Sequence, residues 1–376
     1  MSRTFSDIDE AQESLIEVRH ELNIGTFIPP SDITVAQYIE QWLPGERRGL
    51  RKKSFTDLKG SLRPYIERLG SRLFQSVTKA DINDVATWME TKGRKRGGKP
   101  GTGLGPSSVR KTLRNGSRVW ETARIEGIVR VNVVALVTLP AYSPPEQSTW
   151  KKDGVATFLR RARKDRLHLA FRLSLYGLRR GEVLGLRWEE DIEWGSLAEP
   201  CAKHRMSWCA PCYQTDNPDY KLVHINIRRT RVTDNYEVYI EEPKSDESKR
   251  RLPLDRAAAL ALHDLQVLQV EEAAAAGTAY NHSGWVVVDS LGNPPHPDWY
   301  SDEFLWLTKM AGLPRIKLHG SRHTTFSLMH KAGVPIAIIA KWAGHADPAF
   351  TMRTYVHADD EDLKVGLRAL TDLHSD

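Results

Sequence analysis

Cysteine is scarce in this chain: three in 376 residues, too few, and odd in number, for a disulfide scaffold. Long apolar runs are missing too. No stretch reaches the roughly 20 apolar residues that a bilayer-spanning helix needs, and the first residues lack the apolar core of a secretory signal. The sequence therefore reads as cytoplasmic, with no membrane partner. Acidic residues are the minority charge, 48 against 54 Lys and Arg. The balance is +6, with a pI of about 9.1, which points toward an anionic partner without distinguishing DNA from simple solubility. The 40% hydrophobic content supports well-filled cores in a chain long enough for two or three domains.

Against this background, His319-x-x-Arg322, Gly344-His345 and a lone Tyr355 stand out. Imidazoles, a guanidinium and a phenol in this order suit chemistry on a phosphodiester, whose crowded charge must be neutralised while a nucleophile attacks. Tyr355 is the candidate covalent nucleophile. Upstream, in Tyr176-Gly-Leu-Arg-Arg-Gly-Glu-Val-Leu-Gly-Leu-Arg-Trp188, Arg179 falls at a glycine-marked helix entry and Glu182 one turn later, placed to orient it. Lys244 follows a hairpin-like stretch and precedes Lys249-Arg-Arg-Leu-Pro-Leu254; on a mobile turn it would reach a leaving oxygen as general acid.

At these residues the chain resembles the tyrosine recombinases, specifically integrases of the phage type. The resemblance is carried by Gly-Leu-Arg179-x-x-Glu182, Lys244, Leu318-His319-Gly-Ser-Arg322-His323-Thr, Ala-Gly344-His345 and Thr354-Tyr355-x-His357, all in the family's order. Singly each is weak. It implies that Arg179 and Arg322 clamp the non-bridging oxygens of the scissile phosphate and that His345 adds a hydrogen bond. It further implies that Lys244 protonates the departing 5′ oxygen, that His319 positions or deprotonates Tyr355, and that Tyr355 forms a 3′-phosphotyrosyl link. A 5′-hydroxyl then reverses the step without ATP, and the guanidiniums supply charge neutralisation that a catalytic metal would otherwise give. One departure is the Gly320-Ser321 pair, where the family often has Asp-Leu; it leaves His319 and Arg322 on one helix face but lowers helix propensity locally. His323 and His357 read as structural.

The expected architecture is an all-α, SAM-like core-binding bundle followed by an α+β catalytic domain. Residues 1–30 resemble the last helix of an arm-site-binding domain: Ser6 caps a helix with an apolar stripe of Ala11, Leu15, Val18 and Leu22, ending at Gly25. The preceding strands are missing after Met1, so that domain is expected to be reduced or truncated. Residues 33–139 hold helices marked by a Thr34–Gln37 capping box before Val35, Tyr38, Ile39 and Trp42. Further apolar faces follow at Leu58, Leu62, Tyr65 and Leu69, at Ile82, Val85 and Met89, and at Val109, Leu113 and Trp120. Basic clusters on its connections, Arg47, Arg48, Arg51, Lys52 and Lys53, then Lys92, Arg94, Lys95, Arg96 and Lys99, are candidate phosphate contacts that would give affinity rather than sequence choice. A proline-containing linker spans 140–149, and the catalytic domain runs from 150 to 376. Within it, Val223–Ile227 and Val238–Ile240 read as strands joined by a turn at Asp234-Asn235. Val334-Pro335 opens a helix that Gly344 stops. The last segment, with Leu363, Val365, Leu367 and Leu370, docks on its own domain or on a neighbouring protomer.

All three cysteines fall in an insert at about residues 199–215, as Cys201-x-x-His204 and Cys209-x-x-Cys212. That spacing suits a closed, structural zinc site, against three reduced thiols beside a chance histidine. The resemblance implies double-stranded DNA at attachment sites as partner, a homotetramer on two sites and a nucleoid-associated location. A directionality factor or DNA-bending host protein would accompany it. The reading is a site-specific recombinase of a phage or other mobile element. Its rivals are a type IB topoisomerase and a non-catalytic DNA-binding regulator. A zinc-dependent hydrolase fails because the cysteine cluster would be coordinatively closed.

Overall fold

In a computed structural model of the chain, the described residues are 7–25, 27–95, 97–143, 147–195, 222–243, 245–347, 349 and 351–352. They divide into two compact units, 1–145 and 146–376. No helix among the described residues is long and apolar enough to cross a membrane.

The first unit is helical: α1 Ile8–Asn23, α2 Val35–Arg47, α3 Lys52–Leu69, α4 Lys79–Thr91 and α5 Pro106–Ile125. Asp7 rather than Ser6 caps α1, accepting from the Glu10 N–H at 2.8 Å; Ser6 lies outside the described residues. The apolar stripe of α1 is not covered, since none of its residues is buried. The capping box of α2 forms as read: the Thr34 N–H donates to Gln37 Oε1 at 2.9 Å, and the Gln37 N–H to Thr34 Oγ1 at 3.3 Å. Satisfying these otherwise orphaned amides fixes where α2 starts, which turns Val35, Tyr38, Ile39 and Trp42 inward. A second box, Thr78 with Asp81, starts α4. The expected faces of α3, α4 and α5 are all buried. At their centre Trp120 stacks on Phe74 with centroids 4.6 Å apart and meets Tyr65 at 5.4 Å.

Gly116 is what lets α5 approach α3 so closely. A Cβ there would fall 2.2 Å from the Tyr65 hydroxyl oxygen and 2.4 Å from its ring. Gly116→Ala is therefore expected to lower stability by about 2 kcal/mol, the usual scale of an overpacked core, as a lower urea midpoint of the full chain. An unchanged midpoint would mean that Tyr65 simply swings aside.

The second unit carries α6 Lys152–Ala162, α7 His168–Ser174, α8 Arg180–Leu184, α9 Trp188–Asp191, α10 Arg256–Ala276, α11 Pro297–Met310, α12 Leu318–Lys331 and α13 Ile336–Ala343. Its strands are β1 Ile192–Glu193, β2 His224–Ile227, β3 Thr230–Asp234, β4 Glu237–Glu241 and β5 Arg250–Pro253. Here the sequence reading needs correction. The segments read as one hairpin belong to different sheets: β2 lies between β1 and β5, all antiparallel, and β4 pairs with β3. The turn sits one residue later than expected, at Asn235 and Tyr236, with φ of 48° and 68°, the backbone a two-residue hairpin favours. β3 escaped notice because Arg231 interrupts its apolar pattern, yet that arginine is buried and its guanidinium lies 5.4 Å from the Trp285 ring. An aromatic cluster of Trp150, Phe158, Phe171, Tyr300 and Phe304 fills the core beneath the helices.

Candidate active site

The site is assembled from three segments of the second unit. The first is the turn into α8. Gly177 has φ of +87°, and a Cβ there would meet the Phe326 ring at 2.6 Å, so both conformation and space demand glycine. This turn delivers Arg179 to the N-cap of α8. Its backbone N–H donates to Glu182 Oε2 at 2.9 Å and its Nη1 to Glu182 Oε1 at 2.7 Å, the orienting contact expected from the spacing.

Glu182 is buried, at 4% exposure, and has a second partner that the sequence reading passed over. Arg250 of β5 donates Nη2 to Oε2 at 2.9 Å and Nη1 to Oε1 at 3.2 Å. Burial pushes the Glu182 carboxyl up, but the guanidiniums of Arg250, Arg179 and Arg322 more than offset it and hold it down at about 2. It is a firmly ionised carboxylate shared between arginines.

The second segment is α12, which places His319 and Arg322 one turn apart. The lower propensity of Gly320-Ser321 does not break it, because the Ser321 hydroxyl, fully buried, donates to Leu318 O at 2.6 Å and lies 3.1 Å from Ser174 O. Arg322 is 2% exposed. It donates to the carbonyls of Gly177 and Ala343 and to His345 Nε2, the last at 3.0 Å, and lies over the Phe326 ring at 4.8 Å.

The third is the end of α13. Pro335 precedes the helix and Gly344 closes it in the left-handed conformation, φ 63° and ψ 49°, as the sequence suggested. His345 follows directly. Because a guanidinium only donates, His345 Nε2 is the acceptor from Arg322; in the neutral ring Nδ1 then carries the proton and donates to Thr351 Oγ1 at 2.7 Å. Burial, then the charges of Arg322, Arg179 and Arg250, push His345 down to about 4. Partial burial, His323, Arg322 and Arg179 shift His319 in the same direction. His323 meets His319 edge-on at 5.1 Å.

The arrangement has an excess of positive charge: arginines outnumber the single carboxylate and the imidazoles are neutral. An anion would relieve that excess, accept from the guanidiniums and draw protons back onto the histidines. Arg179, with a side chain 37% exposed against 5% for Arg250, is the guanidinium free to reach it. Beside the site, Arg228, Arg229, Lys249, Arg250 and Arg251 line a cavity of about 660 Å³ together with Glu241 and Glu242.

The structure thus brings together Arg179, His319, Arg322 and His345. Lys244, Tyr355 and His357 lie outside the described residues, as do Cys201, His204, Cys209, Cys212 and the terminal segment from Leu363. Among the described residues there is no cluster of three or more metal-ligating side chains.

In the first unit, Arg51 is the N-cap residue of α3, and Lys52 and Lys53 open that helix rather than lying on a connection; Lys53 pairs with Asp57 at 3.2 Å. Arg94 is turned onto its own loop, donating to Gly103 O at 3.0 Å and Gly97 O at 2.9 Å, and Lys95 pairs with Glu67. Arg96 lies outside the described residues.

Arg250 and Thr351 were missed for different reasons. Arg250 sits in a run of three basic residues and was given no role of its own. The signal was the alternation Arg250, Arg251, Leu252, which in a strand turns Arg250 and Leu252 to one face. Thr351 carries no signal, since its contact depends on a turn after Gly344.

A helical unit is thus followed by a mixed unit whose guanidiniums are organised around a buried carboxylate. Residues 221–362 match the model of the phage integrase family. Over 377 aligned residues the chain is 23% identical to a tyrosine recombinase XerC-like protein of Caldanaerobacter subterraneus subsp. tengcongensis, covering 96% of this chain and 88% of that one. Among solved structures, the Tn1549 transposon integrase in complex with a circular intermediate DNA matches with a TM-score of 0.68 at 18% identity, over 90% of this chain and 99% of that one. A lambda integrase tetramer bound to a Holliday junction matches with a TM-score of 0.60 at 14% identity, over 96% and 91%. The family match covers the larger part of the second unit, and over most of the chain the fold is that of these integrase structures.

Proposed function

We propose that this protein is a site-specific DNA recombinase that integrates or excises a phage or other mobile element through a 3′-phosphotyrosyl intermediate. The observation that carries the reading is the convergence of Arg179, Arg322 and His345 in one positively charged site. In the proposed step the Tyr355 oxygen attacks phosphorus while the bond to the 5′ oxygen breaks. The tyrosyl proton leaves toward a base positioned with His319, and the 5′ oxygen takes a proton from Lys244. Arg179 and Arg322 neutralise the non-bridging oxygens. The phosphodiester energy stays in the tyrosyl ester, so a 5′-hydroxyl of a second strand reverses the step and exchanges strands. The family's structures on circular intermediate DNA and as a tetramer on a Holliday junction support a homotetramer acting on two attachment sites. The basic residues Arg51, Lys52, Lys53, Arg94, Lys95 and Arg96 are proposed phosphate contacts, with a directionality or DNA-bending protein as further partner.

The test mixes two duplexes carrying the core sites flanking the element, without ATP and with a chelator present. Exchange of flanking sequence is expected. Binding without exchange would turn the reading toward a DNA-binding regulator, and relaxation of supercoils without exchange toward a topoisomerase.

We further propose that Cys201, His204, Cys209 and Cys212 hold a structural zinc ion. Metal analysis is expected to find one equivalent in the purified chain and less in Cys209→Ser; carefully prepared protein without zinc would sink this.

A further inference from the structure

We propose that Arg250 is a positioning residue of the phosphate site: a guanidinium that does not touch DNA but holds Glu182 and the Gly344–His345 turn in place. The inference rests on the reading of the site as a strand-cleaving centre.

Three segments meet at this one side chain. Its paired Nη donors take both oxygens of Glu182, at 2.9 and 3.2 Å. Its Nε donates to Trp342 O at 2.7 Å, near the end of α13, and its Nη1 to Ser248 O at 3.0 Å, in the short turn that follows Lys244. Gly344 leaves room for it, since a Cβ there would lie 3.0 Å from Arg250 Nη1. All three nitrogens of its guanidinium donate within the protein, so Arg250 is a tie between segments rather than a phosphate ligand. Its neighbours point away, Lys249 pairing with Glu242 at 3.2 Å and Arg251 with Glu193 at 2.7 Å.

The division of Glu182 explains why two arginines are needed. Oε1 accepts from the Nη1 of both Arg179 and Arg250, while Oε2 accepts from the Arg179 backbone and Arg250 Nη2. The charged and titratable groups facing Glu182 are Arg250 from β5, Arg179 at the start of its own helix, and Arg322 and His319 from α12. Removing Arg250 takes away the counter-charge that grips both oxygens of a buried carboxylate, which then favours its protonated form. A protonated Glu182 no longer grips the Arg179 guanidinium, and the Gly344–His345 turn loses its tie to β5.

The test uses the full chain, a nicked duplex that traps the covalent adduct, and single-turnover rates from pH 6 to 8.5, with duplex affinity measured in parallel. Arg250→Gln is expected to attach about 100-fold more slowly at pH 7, the usual cost of disturbing a charge-stabilising group. Duplex affinity should stay within about threefold of wild type, since the contact is not to DNA. The rate of the variant should climb with pH as Glu182 loses its proton, and the climb should vanish in Glu182→Gln/Arg250→Gln, which should be no slower than the single variant. Arg250→Lys, which keeps the charge without the fork, should fall between. Wild-type rates with a flat pH profile would overturn the inference, as would a slow rate with parallel loss of duplex binding and no climb. Should Arg250→Gln fail to fold, Arg250→Lys decides by the same criteria. Wild-type protein that never attaches would instead overturn the reading of the site itself.

Discussion

Arg322→Lys is expected to slow covalent attachment to a nicked duplex by about a thousandfold while also lowering the unfolding midpoint. The two effects share one cause. The Arg322 guanidinium is 2% exposed and spans Gly177 O, Ala343 O and His345 Nε2, so it ties the turn before Arg179 to the end of α13. A lysine ammonium is a point charge without the planar fork and satisfies fewer of these acceptors. Leaving one buried carbonyl unpaired costs about 1–3 kcal/mol of stability. The catalytic loss is larger, because one guanidinium facing the phosphate disappears and His345 loses the donor that fixes its ring; together these reach about 4 kcal/mol of transition-state stabilisation. Single-turnover attachment at saturating protein separates the two, since a fold defect alone would lower the amplitude and leave the rate. A variant with wild-type rate would show that Arg322 is a structural tie and nothing more.

The parts of this molecule that were legible in the sequence are those decided locally. The Thr34–Gln37 box, the Pro335 start and Gly344 stop of α13, and the Arg179–Glu182 spacing depend on residues within a turn of each other, and all appear with the expected contacts. What needed the fold was long-range. Val223–Ile227 and Val238–Ile240 have strand composition, but the first of them pairs with β1 and β5, 33 and 25 residues away in the pairs Ile192 with Ile225 and Asn226 with Arg251.

 That is, Ile192 faces Ile225 and Asn226 faces Arg251, and a window of a few residues cannot see either partner. Arg250 was hidden for the same reason: its role follows from Glu182, 68 positions earlier. In the first unit, the basic residues near Arg51 and Arg94 were read alike as candidate phosphate contacts on connections, yet Lys52 and Lys53 begin a helix and Arg94 closes a loop onto Gly97 and Gly103. Composition gives the charge of such a run and not the use of each member.

The same distinction bears on the nucleophile. A tyrosine near a C-terminus is ordinarily a packing or surface residue, and Tyr355 is singled out by its place after His345 and by family order rather than by any contact. Its expected effect is nonetheless the largest in the molecule. A phenylalanine keeps the ring and removes the single oxygen that would form the ester, so no adduct can form, whereas Arg322→Lys leaves every reacting atom in place.

The most direct measurement offers the full chain a nicked duplex bearing the core site beside the element, without ATP or added metal, and looks for protein that remains attached after denaturation. The account predicts a stable adduct whose peptide map places the nucleotide on Tyr355, with none formed by Tyr355→Phe although that variant still binds the duplex. Tight binding by wild-type protein without attachment at any core site, or an adduct that persists in Tyr355→Phe, would contradict it.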